Sequence, residues 1–164
     1  MIKTEAAHSL RLAAYQPDIP QNTGALIRLC AGFDVPLDLI EPFGFIWDER
    51  KIKNSAMDYF DIAKIHRHAS WDRFCGHYAA RRLVLLSTKA SVPYTEFRFS
   101  PGDILLLGRE SAGVPPEIHA QIPDRVVIPM APHARSFNIA MAGAIILSEA
   151  LRQLQSQQLQ GRRL

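Results

Sequence analysis

The stretch Arg125-Val-Val-Ile-Pro129, Met130-Ala-Pro-His-Ala-Arg135-Ser136-Phe137-Asn138, Ile139-Ala-Met-Ala-Gly-Ala-Ile-Ile-Leu147 and Ser-Glu-Ala-Leu-Arg-Gln153 decides the fold class. A β-branched run, a polar loop and an almost wholly apolar run read as a buried strand, a connecting loop and a buried helix. Asn138 or Ser136 is placed to cap the helix by accepting from its first free N–H groups. A helix that is apolar all round must be covered on more than one side. Its own sheet and a second copy of the chain are the expected covers. The nine residues of the apolar run fall well short of the roughly twenty that a membrane span needs. Polar side chains gathered at the mouth of such a helix also mark a candidate site.

Working outward, Arg82-Leu-Val-Leu-Leu-Ser-Thr88 and Asp103-Ile-Leu-Leu-Leu-Gly108 are near-continuous apolar runs bounded by turns. With Val126 to Ile128 they read as strands buried on both faces of a parallel sheet. Arg11 to Tyr15 and Leu37 to Ile40 add two more strands, and a further short one is expected near Ala63 to His66. Between the first two, Ala25, Leu26, Leu29, Cys30 and Phe33 form an apolar stripe at helical spacing. Asn22 is the expected N-cap of that helix and Gly32 its expected stop. Trp71 to Tyr78 and the proline-led Pro115 to Gln121 read as two shorter helices. Strands alternating with helices define an α/β protein with a mostly parallel sheet flanked by helices. A single domain is expected over residues 1–155, with a frayed tail over 156–164. The expected solvated stretch begins at Arg152, where five glutamines follow.

Composition narrows the function less than the motifs do. The chain has 164 residues, enough for one domain that buries about two-thirds of its unfolded surface. Its net charge of +3 favours an anionic partner only weakly. Cys30 and Cys75 stand apart, without a C-x-x-C or a histidine at metal spacing, so no metal site is expected. Cys30 reads as a small buried hydrophobe. The absence of an apolar core of signal-peptide length near Met1 leaves a cytoplasmic protein as the expectation.

Three strand ends are expected to converge: Leu86 to Lys89, Leu107 to Pro115, and Ile128 to Asn138. Ligands of open α/β sheets bind at such carboxyl ends. Gly108 and Gly113 would let the backbone approach a ligand, although turns needing positive φ explain them equally well. Neither a P-loop nor a dinucleotide fingerprint occurs. Ser136 lacks the G-x-S-x-G setting of an esterase nucleophile. His66, His68 and His77 read as solvated surface histidines, and Lys51 and Lys53 on the residues alone as a solvated face.

Asn22-Thr-Gly-Ala-Leu-Ile-Arg28, Leu107-Gly-Arg-Glu-Ser-Ala-Gly-Val-Pro115 and Ile128-Pro-Met130 with Arg135-Ser-Phe-Asn138 resemble, in order, three motifs of the SPOUT-superfamily RNA 2'-O-methyltransferases. Tyr15 to Gly24, Ile40 to Phe45 and Met57-Asp-Tyr59 are similar to the small tRNA (cytidine(34)-2'-O)-methyltransferases, which modify the anticodon wobble nucleotide. The resemblance runs from about Leu12 to Gln153. It implies S-adenosyl-methionine as cofactor, a homodimer, tRNA as substrate and a C-terminal trefoil knot, a feature rare among folds in general. It places the cofactor against Leu86, Gly108, Ile128 and Ser136. Arg28 and Glu110 are the implied catalytic residues. A guanidinium ion holds its proton too tightly to be a good base, so Arg28 is read as stabilising the developing alkoxide or binding phosphate. Glu110 is read as orienting Arg28 or, alternatively, accepting the proton. Arg50, Lys51, Lys53, Arg109 and Arg135 are the expected phosphate contacts. The alternatives are a 2'-O-methyltransferase of another tRNA or rRNA site, and a non-catalytic RNA-binding dimer. Ser148 and Leu151 stand where relatives carry aromatics, so another group must seat the RNA base.

Overall fold

The computed structural model describes residues 10–161. Seven parallel strands form one sheet: β1 Arg11–Tyr15, β2 Leu37–Ile40, β3 Ile65–His68, β4 Leu83–Leu86, β5 Val92–Pro93, β6 Ile104–Leu107 and β7 Arg125–Val127. Their spatial order is β3-β2-β1-β6-β4-β7-β5. The helices are α1 Pro20–Phe33, α2 Glu49–Ala56, α3 Trp71–His77, α4 Pro116–Gln121 and α5 Ile139–Gly161, with a short 3-10 turn over Met57–Asp61.

Alternation along each strand builds two cores. Leu12, Ala14, Leu37, Leu39, Leu105 and Leu107 share one face with residues of α1, α2 and α5. Ala13, Tyr15, Ile40, Ile104 and Leu106 share the other with Phe74 of α3 and Ile118 of α4. Both faces are covered, which is why the central strands read as continuous apolar runs. From β7 the chain returns to lay α5 against α1 and β6. The loops leaving β4, β6 and β7 therefore meet the start of α5 at one end of the sheet.

Several local expectations need correction. The third strand is Ile65–His68 rather than Ala63 to His66, set by pairing in which Leu37 aligns with Ile65 and Ile40 with His68. Asn22 is not the cap of α1: proline at the helix start moves the first turn back to Pro20, and Ile19 precedes it without a side-chain cap. Gly32 does not stop the helix either, because Asp34 adopts the left-handed conformation (φ 55°) and closes it by donating its N–H to Ala31 and Cys30 carbonyls. The tail does not fray at Arg152, since α5 runs on to Gly161. Leu154 is buried there. Gln153 accepts from Phe99 N and donates to Phe97 O, both at 3.0 Å. Gln157 donates to Phe99 O at 3.3 Å, so glutamines expected to be solvated bind backbone.

His68 is not a solvated histidine. Its Nε2 lies 2.7 Å from Asp38 Oδ1, and Asp38 is fully buried in β2. The same carboxylate accepts from Arg11 Nε at 2.7 Å and from Tyr78 Oη at 2.9 Å. Burial, reinforced by the neighbouring Asp38 charge, pushes the Tyr78 phenol up to about 12. This network is a buried ion pair with its remaining lone pairs satisfied, so its cost appears when one member is removed. Asp38→Ala would leave the mostly buried Arg11 uncompensated. Urea denaturation should show a loss of about 3–5 kcal/mol, and a loss below about 1 kcal/mol would show that water reaches the site.

Candidate active site

β6 ends at Leu107 and the chain turns sharply through Gly108 to Gly113. Arg109 and Gly113 exchange both backbone hydrogen bonds, at 3.1 and 2.8 Å. Gly113 takes φ 66°, and a Cβ on Gly108 would lie 2.6 Å from Gly113 Cα. The two glycines are therefore required by the loop's own closure, whatever else they approach.

What holds this loop is Asp18, in the turn after β1. Its carboxylate accepts from Arg109 Nε at 3.1 Å, from Arg109 Nη2, from Ser111 N at 3.0 Å and from Ser111 Oγ at 2.5 Å. The Arg109 hydrogen bond, aided by those from Ser111, holds the Asp18 carboxyl below the usual carboxylate range. In return, Asp18 N donates to Glu110 Oε2 at 2.7 Å. Asn22 Nδ2 donates to Glu110 Oε1 at 3.3 Å, and Asn138 Nδ2 donates to Asn22 Oδ1 at 2.9 Å. Asn138 also caps α5, its Oδ1 accepting from Ala140 N at 2.9 Å and Met141 N at 3.4 Å. One chain of polar contacts thus joins the β1 turn, the β6 loop and the starts of α1 and α5.

Beside this chain opens a cavity of about 650 Å³, walled by the loops after β4, β6 and β7. Leu86, Gly108, Ile128 and Ser136 all line it, together with Glu110 and Arg135. That volume is typical of a small-molecule site. His119 of α4 also stands in the wall. Its Nδ1 is 3.0 Å from Arg125 Nη1. A guanidinium only donates, so Nδ1 accepts and the ring proton sits on Nε2. Burial first, then Arg125 and Lys89, push the imidazole below its ordinary value. Nε2 is the one buried side-chain nitrogen or oxygen among the described residues without a hydrogen-bond partner.

Arg28 is elsewhere. It lies in a shallow depression with Ala25, Leu29, Gly32, Phe33 and Tyr59, its guanidinium 5.8 Å from the centre of the Tyr59 ring. Six residues separate it from Asn22, about 9 Å of rise and roughly a third of a turn around the helix. Glu110 consequently does not orient Arg28 within one chain; both its oxygens are engaged by Asp18 and Asn22. The expected phosphate contacts also divide. Arg109 is committed to Asp18. Lys53 pairs with Glu49 at 3.1 Å and Asp61 at 3.7 Å. Arg50 and Lys51 are exposed on α2, and Arg135 is exposed at the cavity wall. Among the described residues no cluster of three His, Cys, Asp or Glu could hold a metal ion. No described helix is long and apolar enough to cross a membrane. Burial pushes the Cys30 thiol well above its ordinary value.

A cavity enclosed by the loops at the carboxyl ends of parallel strands is the usual ligand site of an open α/β sheet. Residues 9–148 match the SpoU rRNA Methylase family, and the chain belongs to it. A tRNA (cytidine(34)-2'-O)-methyltransferase of Beijerinckia indica is 54% identical over 145 residues, covering 87% of this chain and 91% of that protein. A solved structure concerned with the 2-OH methylation of C/U34 on tRNA superposes with a TM-score of 0.87 at 37% identity, covering 92% of this chain and 99% of the other. An AdoMet-bound rRNA methyltransferase from Sinorhizobium meliloti superposes with a TM-score of 0.77 at 27% identity, over 90% of this chain and 59% of that one.

The Asp18 clamp has a pH signature. A carboxyl held below its unfolded value contributes stability in full above that value, and the contribution disappears as pH falls through the folded value. Wild type and Asp18→Asn should therefore differ most in urea stability near neutral pH and converge as pH drops below about 4. A difference independent of pH would show that the carboxylate charge is not what holds the loop.

Proposed function

We propose that this chain is an S-adenosyl-methionine-dependent tRNA 2'-O-methyltransferase acting on the wobble nucleotide, cytidine or uridine 34, as a homodimer. The observation that carries the reading is the convergence of the three loops on one cavity, in a chain so similar to wobble-nucleotide methyltransferases. The cavity fits the cofactor: it has the volume, aliphatic walls at Leu86 and Ile128, and a loop kept narrow by Gly108. The bound cofactor would supply the electrophilic sulfonium methyl. The protein's part is then to position and to stabilise charge.

Leu86, Gly108, Ile128 and Ser136 would hold the adenosyl group. Glu110 acts as a positioning residue, because both carboxylate oxygens are spent on Asp18 and Asn22 and tie the β6 loop to α1. Arg28 stabilises the negative charge that develops on the 2'-oxygen in the transition state, and in this reading it serves the cavity of the other subunit, which is supported by its lying outside the lining of the cavity in its own chain. The exposure of Phe33 on α1 and Met141 on α5 supports a second copy against these helices. Arg50, Lys51 and Arg135 are left to take RNA phosphates, with Lys53 and Arg109 held by carboxylates. In this reading the return of the chain from β7 to α5 forms the trefoil knot.

Nucleoside mass spectrometry of tRNA from cells with and without the gene tests the substrate. The 2'-O-methyl mark at position 34 should disappear on deletion and return with the wild-type chain. Retention of that mark with loss of one elsewhere would assign the enzyme to another RNA site.

A further inference from the structure

The loop from β2 to α2, Glu41-Pro-Phe-Gly-Phe-Ile-Trp47, has a use that the methyl-transfer site does not account for. Its side chains alternate. Phe43, Phe45 and Trp47 are half-buried and pack against the core. The Phe43 and Phe45 rings stack 5.4 Å apart at 9°, and Trp47 lies 5.3 Å from Phe43. Arg67 covers the group, 5.4 Å above Phe43 and 4.5 Å above Trp47, and is held by Glu41 at 2.8 Å. Between these anchors Ile46 points outward and is 92% exposed. No other large described hydrophobic side chain is so exposed.

The loop is also fastened to the site. Gly44 N donates to Pro17 O at 2.9 Å, and a Cβ on Gly44 would lie 2.5 Å from Asp18 Oδ1. The tip is thus one contact away from the carboxylate that clamps the cavity loop. Beyond it come the N-cap Asp48 and the first helical residue Glu49, and then Arg50 and Lys51 of α2, both exposed.

We propose that Ile46 is a nucleobase-binding wedge: it packs against an unpaired base of the RNA loop while Arg50 and Lys51 take the adjoining phosphates. The proposal rests on the tRNA reading above. RNA fits this surface better than a protein does. One exposed aliphatic side chain followed by the charged start of α2 is too small and too charged for the core of a protein interface, whereas apolar wedges beside basic residues are a recurrent way to seat bases. The wedge is preorganised, because the stacked rings fix the backbone on both sides of it.

The test is binding of an anticodon stem–loop RNA to the full chain, by fluorescence anisotropy across a salt series, for wild type, Ile46→Ser and Lys51→Ala. Ile46→Ser should weaken binding about tenfold, the scale of losing a partly buried aliphatic side chain, with the salt slope unchanged. Lys51→Ala should reduce the slope by about one, as expected for a lost phosphate contact. Calorimetry with S-adenosyl-homocysteine and mass by light scattering should be unaffected in Ile46→Ser. Wild-type affinity in Ile46→Ser overturns the proposal. A changed mass also overturns it and makes the loop a protein interface. A wild-type chain that does not bind the hairpin refutes the tRNA reading itself, an outcome distinct from both.

Discussion

The site depends on a single carboxylate in a turn. Asp18 receives Arg109 and Ser111 from the β6 loop, and its own backbone N–H holds Glu110. Four donor–acceptor contacts to one side chain order a loop that has no apolar core of its own, and charge-assisted hydrogen bonds are the strong ones. From Glu110 the order passes through Asn22 to Asn138 and hence to the first turn of α5. Three segments distant in sequence are thereby held around the cavity by short polar contacts, while the two apolar cores hold the sheet on which they stand.

This arrangement sorts residues that resemble one another chemically. Arg109 looks like a phosphate contact, but its guanidinium is already paired with Asp18, which raises its hold on its proton further. Arg28 has its guanidinium beside the Tyr59 ring, in a depression that shares no lining residue with the cavity. Glu110 is satisfied at both oxygens, which makes it an organiser. The free chemical capacity lies in the cavity wall, on Arg28 and along the first turn of α2.

The strands of the sheet were legible because burial on both faces gives unmistakable apolar runs, as in Leu83–Leu86 and Ile104–Leu107. The convergence of three strand ends followed from parallel topology, and Leu86, Gly108, Ile128 and Ser136 do share one cavity. Long-range polar pairing was not legible. Nothing local marks Asp18 as the partner of a residue 91 positions away, or Asp38 as the centre of a network of Arg11, His68 and Tyr78. The continuation of α5 to Gly161 was hidden in the same way, since the partners of Gln153 and Gln157 lie at Phe97 and Phe99. His119 carried no sequence signal, and its significance comes only from Arg125 fixing its tautomer. Pro20 begins α1, which moves Asn22 from the expected cap position into the contact chain.

On the function proposed above, a working site takes its cavity from one subunit and Arg28 from the other. Mixed dimers test it directly. Arg28→Ala alone should lower single-turnover methylation on the order of 100–1000-fold, the usual cost of losing one preorganised electrostatic group. Gly108→Val should disable the cavity, because a side chain there meets Gly113. Each variant dimer should therefore be nearly inactive, with dimeric mass checked by light scattering. When the two are dissociated and reassembled together, the mixed dimer joins an intact cavity to an intact Arg28, and methylation of tRNA should reappear. Mixed dimers as inactive as their parents would contradict the account and place Arg28 at the cavity of its own chain or outside the reaction.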